Sequence, residues 1–226
     1  MKKILSLVVL LSFIVSCNKS SGDGNSICDE TLEECVSTAQ IVPDPDSNTP
    51  PVTDNTGLPN AAYTFESFIK FIQTTSSEQA KFDQAVEIIK KVVATEEFRT
   101  KVLDHTYSGK KTFVDNGGYT NSQIYQKILD AAEKLFPAKN NAIDMEVELY
   151  YANTNVIGYT YGTSKRIWVN TKYFGSNSVT SVAANLFHEW LHKVGFGHDA
   201  SYSVSRDYSV PYAIGRMIGS IGKQFD

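Results

Sequence analysis

His188-Glu189-Trp190-Leu191-His192-Lys193-Val194-Gly195-Phe196-Gly197-His198 fills every fixed position of the pattern H-E-x-x-H-x-x-G-x-x-H, and three of the chain's four histidines lie inside it. The spacing predicts a helix over residues 179 to about 194. Residues four apart on a helix lie on one face, so His188 and His192 can aim their imidazoles at one point. Glu189 sits beside that pair, placed to reach a water at a metal without being a ligand. Gly195 lets the chain leave the helix, because glycine takes a left-handed conformation without steric cost. His198 then returns as a third ligand from outside the helix. Three protein nitrogens leave a fourth tetrahedral position open, which is the pattern of a catalytic zinc site rather than a structural one. A zinc ion there would acidify a bound water and polarise a carbonyl, with Glu189 as the general base.

The pattern fixes three histidines, one glutamate and one glycine. A chance match in a chain of this length is on the order of 1 in 10⁵. An ordinary amphipathic helix with histidines on a polar face is therefore a poor competitor. A zinc site without catalysis is the stronger one, and the presence of Glu189 argues against it.

This stretch resembles the metzincin clan of zinc metallopeptidases. The resemblance implies His188, His192 and His198 as zinc ligands and Glu189 as the catalytic base. It also implies an α+β fold of zincin type: a mixed sheet of mostly short strands, an active-site helix and additional N-terminal helices. Asp199 after the third histidine is similar to the adamalysin/reprolysin branch, where an aspartate there supports the turn below the site. Metzincins also carry a Met-turn, usually S-x-M-x-Y, and this chain departs from it. The local match is Ser209-Val210-Pro211-Tyr212, with Val210 at the methionine position; the methionine downstream is Met217. Either Val210 or Met217 is a candidate for the hydrophobic floor. Tyr212, if it takes the family's tyrosine position, would stabilise the oxyanion; Tyr208 is a weaker candidate. Pro211 marks the first turn of a C-terminal helix.

The N-terminus bears on location. Met1-Lys2-Lys3 precedes an apolar run from Ile4 to Val15, too short to span a bilayer as a stable helix. It ends at Ile14-Val15-Ser16-Cys17, which resembles a bacterial lipobox. On that reading residues 1–16 are a signal peptide and Cys17 is the lipidated first residue of an exported protein. The lipid would hold it at a membrane, with the outer membrane or cell surface favoured by Asn18. Residues 17–60 are acidic and rich in Pro, Ser and Asn, a composition that cannot bury enough apolar surface to fold alone, so they read as a tether. Cys28 and Cys35 in that tether suggest a small disulfide loop in an exported protein. A latency switch, with one thiolate at the open zinc position, is the sharper alternative.

Residues 61–226 suffice for one globular catalytic domain. Phe65, Phe68, Ile69 and Ile72 recur at helical spacing, as do Phe82, Val86, Ile89 and Val93, and then Phe98, Val102 and His105. Ile124, Ile128, Leu129, Ala132, Leu135 and Phe136 predict a further helix stopped by Pro137, after a turn at Gly117-Gly118. His105 reads as a surface or capping histidine. Residues 145–151, 156–161 and 166–174 read as strands, the last with Ile167, Val169 and Thr171 on one face. Ser178 or Asn177 would cap the metal-binding helix. Phe187, Trp190 and Leu191 are expected to face the core. By its place in the order, 156–161 would be the antiparallel edge strand that metzincins offer to substrate, with Gly158 allowing close backbone approach.

The chain carries 21 Lys and Arg against 25 Asp and Glu, a net charge of −4, with no basic stripe, which speaks against nucleic acid as a partner. The expectation is a monomeric zinc endopeptidase acting on a peptide or protein substrate and anchored to a membrane by lipid. The competing readings are a surface binding or adhesion lipoprotein with a structural or inactive zinc site, and a hydrolase of another amide such as a cell-wall crosslink.

Overall fold

The computed structural model describes residues 67–69, 75–135 and 142–226. The signal-like segment, Cys17, Cys28, Cys35 and the rest of the tether lie outside them. In chain order the elements are β1 (Ser67–Ile69), α1 (Ser76–Val93), α2 (Glu96–Leu103), α3 (Asn121–Leu129), β2 (Met145–Tyr150), β3 (Gly158–Thr160), β4 (Arg166–Asn170), α4 (Thr171–Ser176), α5 (Val179–Val194) and α6 (Val210–Gly222), with a 3-10 turn at Arg206–Tyr208 before α6. The class is α+β. Four short strands form one sheet in the order β1-β2-β4-β3. β1, β2 and β4 run parallel, and β3 closes the edge antiparallel to β4, Gly158 opposite Val169 and Thr160 opposite Ile167.

Met145, Val147 and Leu149 of β2 and Ile167 and Val169 of β4 point into the core. α5 lies across that inner side and packs against α6, α1 and β3. Phe187, Trp190 and Leu191 are fully buried, as their helical phase requires. Burying side chains of this kind stabilises the fold by about 1.5–3 kcal/mol each. On the opposite sheet face, Arg166 spans Glu146 at 2.7 Å and Glu148. Tyr159 stacks on Trp168 at 5.2 Å beside them.

Local signals place the helix starts. Thr75 and Thr120 form capping boxes with Glu78 and Gln123, and Thr95 accepts from the Phe98 N–H. Gly117 and Gly118 both take positive φ, so the turn before α3 forms where it is expected.

Three sequence-based boundaries are corrected. Residues 67–69 form a strand paired with Met145–Val147 rather than part of a helix over 65–72. Phe65 and Ile72 lie outside the described residues. The helix through Ile124 ends at Leu129, not at Pro137, because Ala131 turns left-handed at φ 47 and the chain departs toward α5. The third strand stops at Asn170 rather than Phe174. Asn170 accepts the Lys172 N–H at 3.1 Å and so starts α4 with Thr171 inside it. Asn177 closes α4, and Ser178 caps α5 by accepting from the Ser181 N–H at 3.1 Å.

Candidate metal centre

α5 owes its length to a capped start and an apolar face, and its end to Gly195. Gly195 sits at φ +107, and its N–H closes onto the carbonyls of Leu191 and His192. A side chain there would also collide with Lys134, whose Cε lies 2.3 Å from where a Cβ would be. Lys134 in turn donates its backbone N–H to the Lys193 carbonyl at 2.9 Å, so the segment after α3 finishes the helix end. The chain turns through Phe196 and brings His198 back.

The turn places His188, His192 and His198 together, with one ligand atom from each lying within 4.8 Å of the others. His188 Nε2 and His198 Nε2 are 3.3 Å apart. Two nitrogens on one tetrahedral zinc ion stand roughly 3.3–3.4 Å apart, so this pair already has the spacing of co-ligands. The backbone sets the tautomers. His192 Nδ1 lies 2.7 Å from the Phe196 carbonyl and His198 Nδ1 lies 2.9 Å from the Asp199 carbonyl. The Pro211 carbonyl acts on the His188 ring more loosely, outside ordinary hydrogen-bond geometry. A carbonyl can only accept, so Nδ1 carries the proton in His192 and His198, and Nε2 presents its lone pair to the shared point. Facing lone pairs in a buried site lack a partner, and a cation between them resolves the conflict.

Charge reinforces this. Burial first, and then the neighbouring histidines, hold His188 well below the usual imidazole range. The same two causes bring His192 to about 3, and burial brings His198 to about 4. All three rings are therefore neutral at pH 7, which is the form that binds a metal. His188 is fully buried and His198 is 4 % exposed, whereas His192 is partly open.

The floor of the cluster is Tyr212, at the start of α6. Its ring centroid lies 4.6 Å from both His188 and His198. Val210 is buried in the main core cluster and Met217 packs at that cluster's margin. Gly215, one turn further along α6, allows the approach: a Cβ there would lie 3.3 Å from the His188 Cβ. Arg206, 2 % exposed, stands 4.8 Å over the Tyr212 ring and donates to the Ala200 carbonyl at 2.9 Å. It ties the loop after His198 to the floor.

Glu189 is also fully buried, and neither carboxylate oxygen has a partner of ordinary hydrogen-bond geometry. Burial pushes its carboxyl up to about 8, opposed by the Lys193 charge and the Asn185 amide. These two residues stand four positions after and before it, so Asn185, Glu189 and Lys193 form a second stripe along α5, beside the histidine stripe. That stripe faces the β3–β4 hairpin. Lys193 donates to the carbonyls of Tyr161 at 3.2 Å and Arg166 at 2.9 Å, and to that of Ser164.

Asp199 contributes its backbone carbonyl, and its residue is exposed. Tyr208 lies apart from the rings around the cluster, packing with Tyr107 and His105. His105 stacks on Phe113 at 4.0 Å, two positions beyond the end of α2. Asn185, Lys193 and Arg206 were not legible as site residues. For the first two, spacing of four from Glu189 was the available signal; Arg206 had none. Among the described residues no helix is long and apolar enough to cross a membrane. Comparison with family models, curated proteins and solved structures found no match.

Proposed function

We propose that this chain is a zinc-dependent endopeptidase of metzincin type, exported and lipid-anchored through Cys17. The observation that carries the reading is the convergence of three neutral imidazoles, two of them on the same helix as Glu189. The 3.3 Å spacing of His188 and His198 and three neutral rings suit zinc, and three nitrogens would leave one position open. Bound zinc supplies Lewis acidity, lowering the pKa of water and polarising a peptide carbonyl. Glu189 accepts the proton of the attacking water and delivers it to the leaving amine. A cation at the histidines favours the ionised carboxylate, offsetting the burial that otherwise holds it protonated. Tyr212 supports His188 and His198 and is the candidate for oxyanion stabilisation. β3, antiparallel and last in the sheet order among the described residues, would take an extended substrate as an added strand.

A second reading has one observation in its favour. Glu189 is fully buried, which suits a binding lipoprotein whose metal is structural. The two readings separate on purified full-length protein, comparing zinc content and hydrolysis of a mixed peptide library in wild type and Glu189→Ala. One zinc in both, with cleavage by wild type alone, is the expected result. One zinc in both without cleavage by either supports the structural site, and absence of zinc overturns both.

A further inference from the structure

Asn185 is 4 % exposed on α5, one turn before Glu189. Burying an amide among apolar neighbours is costly unless it is hydrogen-bonded, so a polar residue here needs a partner. Its Oδ1 has none. The compensation must come through the donating end of the amide. The stripe on which it lies leads to the Glu189 carboxylate, whose oxygens also lack a partner of ordinary geometry.

The opposite wall of this slot is β3. A Cβ added to Gly158 would lie 2.8 Å from Asn185 Oδ1 and 3.4 Å from its Nδ2, and 3.1 Å from the Trp168 carbonyl. Real side chains do not approach so closely, so the bare backbone of Gly158 is what admits the amide. The edge strand, the amide and the carboxylate are thus packed in series.

We infer that Asn185 is a positioning residue for Glu189: wedged against Gly158, its side-chain amide turns an N–H toward the carboxylate and fixes the orientation of the base relative to β3. The inference rests on Glu189 being the base, but the contact itself does not require catalysis. Leucine would fill the same volume without donating. A carboxylate left to rotate is a poorer base, with no change in how substrate or metal is held.

The test uses full-length, zinc-loaded protein. In NMR spectra, the Asn185 side-chain amide resonances should move on Glu189→Ala substitution; unmoved resonances overturn the proposal. Asn185→Leu should keep one zinc per chain and a KM within about twofold on a cleaved library peptide, with kcat lower by about 10–100-fold. An unchanged kcat, or a fall in kcat matched by lost zinc, also overturns it. If Asn185→Leu does not fold, the amide resonances decide alone. If wild type cleaves nothing, the peptidase reading falls and the amide resonances still decide whether Asn185 holds Glu189.

Discussion

The two stripes of α5 differ in what completes them. The histidine stripe, His188 and His192, is completed within the next six residues by His198, and its hydrogen bonds run to nearby backbone carbonyls at Phe196 and Asp199. The stripe of Asn185, Glu189 and Lys193 is completed by chain far away in sequence: Gly158, Tyr161, Ser164 and Arg166. One is a local cluster of three imidazoles close enough to hold a metal ion. The other fastens α5 to the sheet edge and surrounds the Glu189 carboxylate. The histidine cluster can therefore be disrupted without losing the attachment of helix to sheet, and loss of the attachment should disturb Glu189 more than the histidines.

The largest effect should come from the histidine stripe. On the proposed reading His192→Ala removes one of three ligands, and zinc affinity should fall by at least 10³-fold in competition with a chelating dye, about 4 kcal/mol. Chelation should lower the melting temperature of wild type and leave that of His192→Ala unmoved. Retained stoichiometric zinc in the variant would break the comparison at its root.

Lys193→Met tests the other stripe. It removes a buried ammonium that donates to three carbonyls, so urea denaturation should show a loss of about 2–4 kcal/mol. Zinc stoichiometry in the folded fraction should stay at one. If zinc affinity falls with stability, the stripes are one unit.

Glu133 braces α5 from a third side. It accepts the Trp190 indole N–H at 2.6 Å and the Asp144 N–H at 3.0 Å, and burial pushes it up to about 7 from 4.5. Because the folded value is the higher one, its contribution to stability is fully present below pH 4.5 and is lost as pH rises through 7. Gln keeps an acceptor but does not titrate. Relative to wild type, Glu133→Gln should therefore gain stability between pH 4.5 and pH 8, by up to about 3 kcal/mol. A flat difference across that range would mean that Glu133 does not titrate with folding.

The smallest effect separates two roles of Tyr212. As a ring beneath His188 and His198, it should tolerate Tyr212→Phe with zinc affinity changed by less than about threefold, under ~1 kcal/mol. A kcat loss of about tenfold or more without change in affinity would add an oxyanion role for the hydroxyl; no kcat change would leave it a floor.

The parts legible in the sequence share a short range. The span 179–194, its cap at Ser178, the left-handed exit at Gly195 and the helix beginning near Pro211 all depend on neighbours a few residues away. The misread parts depend on distant ones. Ser67–Ile69 is a strand because Met145–Val147 pairs with it, and three residues carry no period of their own. α3 stops at Leu129 because the following segment is drawn to α5 through Glu133 and Lys134. β4 stops at Asn170 because that buried amide donates to the carbonyls of Ala152 and Val156 while capping α4.

The sequence by itself determined the three histidines that converge, the glutamate beside His188 and the helix that carries His188, Glu189 and His192, since spacing along one helix and one glycine turn is sufficient to aim those groups. Only the tertiary structure decided that the Tyr212 ring packs against His188 and His198, that Arg206 lies over it, and that Asn185 and Lys193 flank Glu189 against the sheet edge. Those contacts join segments tens of residues apart, and burial, rather than any local pattern, selects which side chains meet there.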